Sequence, residues 1–390
     1  MLAADMGAGR VAGWRRFAAG ALTLAAVLAA GACAKPEPVR IGFIGSLSGR
    51  FSDAAIEARS GVLLALDDAN ASEPGRRFEL VVRDDGQRPD TAREAMKALI
   101  DAGAVAVIGP MTSSVAEVVV PMANEAGITL LSPSVTGSQL AGKDDYFLRV
   151  VSTAQTYGSV SARYFLETEG SRRVALITDE ANAAYTADWA DSFESAFKAG
   201  GGSVVRRESF RGDTSSRLRP QVERILAARP DLVVAVASVV DVSRIARLVR
   251  AREPRLRLAA SEWAATEQLI EIGGRAVEGM YVPQFFDRDS SAPAYIAFRR
   301  SYIERFQVAP GIVSVAAYDA AHLLLDTLRE APDASRAEVR RRLLAHGGFD
   351  GLQHRVALDA YGDSRRDLFM AAVRVGQYRK VALLDGEETR

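Results

Sequence analysis

VAVIGPMTSSVAEVVVPMANEAGITLLSPSVT, residues 105–136, reads as two strand-to-helix units back to back. An apolar run at 105–108 stops at Gly109-Pro110, hydroxyls follow at Thr112, Ser113 and Ser114, and an amphipathic helix begins. A second run at 128–131 stops at another hydroxyl-rich turn, Ser132-Pro133-Ser134-Val135-Thr136. Strands of an open parallel sheet end on one edge, so Thr112, Ser113, Ser134 and Thr136 are expected to meet at the crevice where such sheets bind ligands. Free amides at a helix start favour an anion, and hydroxyls add donors that side-chain rotation can aim. The combination suits a small carboxylate and contains no group that performs chemistry. Ser and Thr are also preferred helix N-caps, so each hydroxyl taken singly reads as a cap for its own helix. Repetition at two successive strand ends favours the ligand.

The same alternation extends in both directions. Upstream, a β-rich run at 39–44 ends at Gly45 and is followed by Ser46-Leu47-Ser48-Gly49. A helical pattern at 53–70 then places Ile56, Val62, Leu63 and Leu66 on one face. The next strand, 79–82, ends at Arg83-Asp84-Asp85-Gly86, and 91–102 is the next helix. Paired aspartates at a strand end are compatible with a metal, but no further ligand cluster accompanies them, and turn and capping chemistry is the better account. Downstream, 146–151 restarts the pattern. Strands are expected at 173–178, 203–207, 232–237, 256–260 and 279–282, interleaved with helices at 154–169, 184–199, 217–228, 242–252 and 266–272. Short connections between alternating strands and helices imply parallel sheets covered on both faces by right-handed crossovers.

The two arrays match in period and differ in sequence, which implies two similar lobes with a first crossover at 144–153. The C-terminal third holds helices at 294–306, 313–329 and 336–346, and runs at 355–359, 369–375 and 378–384 that read as a small antiparallel set. The chain is expected to recross near 283–289, add two helices to lobe one, and cross again near Phe349. The fold class is therefore α/β: two Rossmann-like lobes with parallel sheets, joined by a multi-crossover hinge suited to closure around a ligand. Residues 39–150 plus 286–347 form lobe one, and 151–285 plus 348–390 form lobe two.

Composition agrees with two lobes. A chain of 390 residues exceeds what one core usually serves. Its 48% hydrophobic and 25% charged residues are those of an ordinary globular protein. Basic and acidic side chains balance at 49 each with no long block of either sign, so neither nucleic acid nor a strongly charged surface partner is indicated.

The N-terminus reads as an export signal, residues 1–32: Arg10, Arg15 and Arg16 precede an apolar stretch of small residues at 17–30, and Ala30-Gly31-Ala32 precedes Cys33. That stretch is shorter than the roughly 20 residues a membrane span needs. Cys33 is the chain's sole cysteine, so an internal disulfide is ruled out. Residues 33–38 then form a short polar tether. A cysteine directly after a small-residue cleavage site resembles the bacterial lipoprotein signal, in which it becomes the lipidated first residue and anchors the protein to a membrane. An ordinary secretory signal with a stray cysteine is the alternative.

Taken together, the motifs resemble the type I periplasmic solute-binding proteins of the branched-chain amino-acid (Leu/Ile/Val-binding) family, the capture component of ABC uptake systems. The resemblance rests on Ser46-Leu47-Ser48-Gly49, Val81-Val82-Arg83-Asp84-Asp85, Ile108-Gly109 with Thr112-Ser113-Ser114, and Gly127-Ile128 with Ser132-Pro133 and Thr136. It continues through Phe147-Leu148-Arg149, Tyr185, Val277-Glu278-Gly279 and Tyr318-Asp319-Ala320. It implies that Ser113, Ser134 and Thr136 hold the carboxylate and ammonium of an amino acid, that Tyr185 closes from lobe two, and that Glu262 pairs with the ammonium. It implies further a periplasmic or cell-surface location, an ABC permease as partner, and no cofactor. A buried carboxylate needs a partner, so Glu262 in a closed cleft calls for a cationic ligand; a helix-start acid or a surface partner for an arginine is the alternative. Trp263 beside it is read either as a ligand-stacking ring or as filler of the lobe surface. Two positions depart from the family: Asp53-Ala54-Ala55 stands where many members have an aromatic wall, and Ser238-Val239 where relatives have a tyrosine. Smaller walls imply a larger or differently shaped ligand than leucine, or a different carboxylate.

Enzymatic classes fit poorly. Gly42, Gly45 and Gly49 lack dinucleotide-binding spacing, and neither a phosphate-binding loop nor a nucleophile elbow is present. His322, His346 and His354 lie in the last quarter, away from the serine-rich turns, so no triad and no metal site is indicated. The competing function is a lipid-anchored module that senses a ligand and acts on a partner protein, or one that regulates a cell-wall enzyme, since fold does not settle function.

Overall fold

The computed structural model describes residues 37–49, 52–72, 77–211, 218–331 and 335–384. The expected leader, Cys33 and most of the tether lie outside the described residues. Five short strands, β1 (Val39–Gly45), β2 (Phe78–Asp84), β3 (Ala106–Ile108), β4 (Thr129–Ser132) and β5 (Phe147–Arg149), pair in the order β2-β1-β3-β4-β5, all parallel. A second set follows: β6 (Arg173–Asp179), β7 (Ser203–Phe210), β8 (Leu232–Val236), β9 (Arg257–Ala260) and β10 (Tyr281–Gln284). After three helices come β11 (Gly348–Asp350), β12 (Arg355–Leu358), β13 (Ser364–Arg365), β14 (Leu368–Arg374) and β15 (Gln377–Leu384). The second sheet runs β15-β14-β10-β9-β8-β6-β7, parallel except for β14 and β15. Every residue of β3 and of β8 is buried, as expected of parallel strands covered on both faces. The edge strands β7 and β15 carry charged side chains toward solvent, which discourages edge-to-edge pairing.

The expected antiparallel set is corrected here. The 355–359 run pairs with β11 and β13 in a separate three-stranded sheet, whereas β14 and β15 extend the second parallel sheet. Periodicity specifies that these runs are strands, but pairing is chosen by which edge of the second sheet lies open. β11 and β13, at three and two residues, are too short to leave a periodic signal.

Local sequence positions the elements that matter. Gly109 carries φ +118, and a Cβ there would run into the Ile44 carbonyl, so only glycine lets β3 turn toward the crevice. Helix Ser52–Ser72 packs on helix Ile312–Glu330, with Gly61 seated against the Ser314 carbonyl. Between the lobes, two buried arginines tie the crossing segments together. Arg149, at the end of β5, donates Nε to Asp363 Oδ1 at 2.7 Å and Nη1 to the Gly137 carbonyl at 3.0 Å. Arg366 donates Nη2 to Asp319 Oδ2 at 2.7 Å and Nε to the Val150 carbonyl at 2.5 Å, with its guanidinium 4.5 Å from the Phe285 ring centre. Among the described residues no helix is long and apolar enough to cross a membrane.

Candidate ligand-binding cleft

The strand ends of the two sheets face each other across one cleft. Ser113, Ser134, Thr136, Tyr185 and Glu262, the five residues expected at the site, all line it. The lobes are drawn together by direct bonds: the Ser114 amide donates to Asn182 Oδ1 at 3.2 Å, the Ser138 amide to Asp188 Oδ2 at 2.7 Å, and Gln139 Nε2 to the Ala184 carbonyl at 2.9 Å.

Hydroxyl by hydroxyl, capping and ligand readings separate. Thr112 occupies the N-cap position of helix Ser113–Ala126, yet its side chain makes no cap bond and its buried Oγ1 has no partner. Ser113 Oγ accepts from the Gly137 amide at 3.1 Å, and Ser134 Oγ donates to the Met111 carbonyl at 2.8 Å. Both side chains brace the turns: Ser113 keeps its O–H donor for a ligand, whereas Ser134 keeps only lone-pair capacity. Thr136 is buried, with its carbonyl taken by the Ala154 amide at 2.6 Å. Ser238 caps helix Val239–Arg250 and donates to Asp241 Oδ2 at 2.9 Å, which is why that helix starts three residues before the expected 242. Asp84 and Asp85 brace the first turns: Asp85 Oδ1 accepts from Ser46 Oγ at 2.5 Å, and Asp84 Oδ1 from the Leu47 and Gly86 amides at 3.0 and 2.9 Å.

Lobe two supplies the acid. β9 ends at Ala260, the Ser261 amide bonds the Ala235 carbonyl at 3.1 Å, and the short turn Glu262–Ala264 directs Glu262 into the cleft. Trp189 Nε1 donates to Glu262 Oε2 at 2.9 Å. No described arginine or lysine pairs with it; the buried Tyr185 hydroxyl lies beside its carboxyl and beside Ser261 Oγ. Burial pushes the Glu262 carboxyl up to about 7, against the hydrogen bonds that lower it. The surface-arginine alternative for Glu262 therefore falls away. Trp263 lines the cleft and meets Tyr185 edge-on, ring centres 5.8 Å apart at 88°.

A periplasmic binding protein family model matches residues 38–380, nearly the whole described chain. The chain belongs to the periplasmic binding protein family. Family members are solute-binding proteins, and the fold is that of the type I periplasmic binding proteins. Leucine-specific-binding protein of Salmonella typhimurium is 25% identical over 270 residues, 67% of this chain and 72% of that protein. Leu/Ile/Val-binding protein of Escherichia coli K12 is 24% identical over 259 residues, covering 65% and 69%. Among solved structures, a leucine binding protein from Thermotoga maritima superposes with TM-score 0.80 at 24% identity, covering 89% of this chain and 99% of that one. A solute binding protein from R. palustris in complex with benzoate gives TM-score 0.81 at 19% identity, covering 89% and 96%.

This periplasmic binding protein lines its cleft with further residues that periodicity and motif did not mark as site residues, among them Tyr157, Asn182, Thr266 and Phe285. Tyr157 sits in a helix whose first turn reads as core; only the lobe opposite makes it a cleft wall. Asn182 follows β6 in a short 3₁₀ turn, and an asparagine there carries no signal beyond turn preference.

The raised carboxyls have a consequence for stability. Glu57 Oε1 accepts from the Val313 and Ser314 amides at 3.0 and 2.9 Å, and burial lifts it, like Glu262, to about 7. A carboxyl whose folded-state pKa is raised favours folding while protonated and loses that contribution as pH rises through the folded value. The ligand-free protein is therefore expected to melt at progressively lower temperature from about pH 5 to pH 7.5. His322, raised by Asp326, acts in the same direction, while Glu208, held low by Arg224, acts only below this window. Melting curves of the double variant Glu57→Gln/Glu262→Gln should flatten across that range; an unchanged slope would reassign the effect.

Proposed function

We propose that this protein is the extracytoplasmic capture component of an ABC uptake transporter, taking an amino acid or related small carboxylate by hinge closure and delivering it to a permease. The observation that carries the reading is a pair of buried polar groups facing one cavity: the Glu262 carboxyl of lobe two, with no described cation beside it, and the unpartnered Thr112 Oγ1 of lobe one. Groups of this kind are costly unless a ligand satisfies them. An α-amino acid does so with one end on each lobe: carboxylate at the hydroxyl-bearing turns, ammonium at Glu262. The hinge is assigned to the joins between 39–150 plus 286–347 and 151–285 plus 348–390. Export through residues 1–32 and lipidation at Cys33 complete the proposal.

Relatives named for leucine, isoleucine and valine, and one holding benzoate, bracket the chemistry. Glu262 favours the ammonium-bearing end of that range. A thermal-shift screen against amino acids, aromatic acids and dicarboxylates tests it, since a ligand at 100 times its dissociation constant adds about 2.7 kcal/mol to the folded state. Stabilisation by aromatic acids alone would discard the role of Glu262, and silence across the panel would transfer the weight to a sensing or regulatory module. Thr136→Val is expected to weaken every carboxylate ligand by roughly tenfold, the effect of one charge-assisted hydrogen bond; titration calorimetry showing retained affinity would place the carboxylate elsewhere.

A further inference from the structure

The amino-acid reading leaves one charged group in the cleft without a function. Among the described residues lining the cavity, the charged side chains are Asp53 and Glu262, with no lysine, arginine or histidine. A simple zwitterion matches Glu262 with its ammonium and brings its own carboxylate to the turns. Nothing in such a ligand faces Asp53.

The topology separates Asp53 from the Thr136 turn along the cleft. Thr136 follows β4, Thr112 follows β3, and Asp53 begins the helix that follows β1, so they stand in sheet order β1-β3-β4. Strand spacing puts the β1 and β4 ends about 10 Å apart. Lobe two meets this distal end with the segment after β9. Gly311, just before helix Ile312–Glu330, lies against both Glu57 Oε1 of lobe one and Glu267 Oε2 of lobe two. Thr266, the residue before Glu267, lines the cavity at 6% exposure, and its buried Oγ1 has no partner. The same cavity has walls that are apolar or small: Ala54, Val239, Phe285 and Val313.

We propose that the distal end of the cleft, formed by Asp53 and Thr266, receives a cationic group at the tip of an apolar stem, so that the ligand class is the basic, diamino carboxylic acids. The proposal rests on the amino-acid reading above and narrows it. A second ammonium gives Asp53 the counter-charge that a half-buried carboxylate needs, and its hydrogens also supply Thr266 Oγ1. Burial already raises Asp53 against the helix-start amides that lower it, so its ionised form gains from an arriving cation. Ala54 in place of a bulky wall leaves room for the stem. A helix-start acid acting only on its own dipole would be indifferent to the ligand's tip, and this separates the two roles.

Titration calorimetry at pH 7.5 with L-lysine, L-ornithine, L-leucine and L-norleucine tests the assignment, because norleucine keeps the four-carbon stem of lysine and lacks its terminal ammonium. Lysine or ornithine is expected to bind at least about tenfold more tightly than norleucine. Asp53→Asn, its fold checked by circular dichroism melting, is expected to bring that ratio within about twofold. Norleucine or leucine binding as tightly as the diamino acids overturns this inference and leaves the amino-acid reading standing. An unchanged ratio in Asp53→Asn overturns the role of Asp53, and absence of binding by all four compounds overturns both readings. The wild-type ratio needs no variant, so a misfolded Asp53→Asn does not remove the test.

Discussion

Glu262→Gln is expected to weaken capture of an α-amino acid by roughly a hundredfold, about 3 kcal/mol, because the ligand ammonium is then left in a closed cleft opposite a neutral amide. The same substitution should make the empty protein more stable at pH 8. There the wild-type carboxylate, raised to about 7, has ionised with Trp189 Nε1 at 2.9 Å, the Tyr185 hydroxyl and its own turn to support it, and no cation. Loss of affinity together with gain of melting temperature distinguishes a ligand partner from a structural acid, which would lose both. Calorimetry and melting curves on one preparation are sufficient. Retained affinity would remove Glu262 from the site.

Arg366→Met is expected to cost about 3–5 kcal/mol of folding stability. Arg366 and Asp319 are 2% and 1% exposed, and the substitution leaves Asp319 Oδ2 buried with no cation. For a chain of this size that corresponds to a fall of roughly 5 °C in the melting midpoint. The pair also joins helix Ile312–Glu330 to the segment after β13, while the Arg366 Nε bond to Val150 and its amide bond to Ser152 Oγ reach the first crossover. Arg366→Met should therefore alter closure as well as stability. The double variant Arg366→Met/Asp319→Leu should recover much of the stability, because apolar replacement of both partners removes the unpaired charge. A loss under about 1 kcal/mol in urea denaturation of the single variant would contradict this account.

The alternation of apolar runs and amphipathic helices made both parallel arrays legible, and the Gly-Pro and Ser-Pro breaks gave the strand end at Ile108 and, one residue short, the one at Ser132. Local chemistry went further at the first turns, where Asp84 and Asp85 brace their loop as turn residues do. It went less far with the hydroxyls. Thr112 and Ser134 look alike in sequence, yet one is left without a partner and the other is held by the Met111 carbonyl. That difference depends on a backbone oxygen 23 residues away in the chain.

What the amino-acid sequence by itself determined is the set of elements, their parallel pairing within each array, and the edge on which the hydroxyls gather, because these follow from side-chain periodicity and turn chemistry acting over a few residues. Tertiary structure alone decided which edge of the second sheet accepts β14 and β15 and which carboxyls are enclosed. It also decided that Asp53, Tyr157 and Thr266 share one cavity with Glu262. Those outcomes depend on the lobes meeting face to face. Burial and pairing across a cleft are set by distances between segments one to two hundred residues apart, on which no local pattern bears.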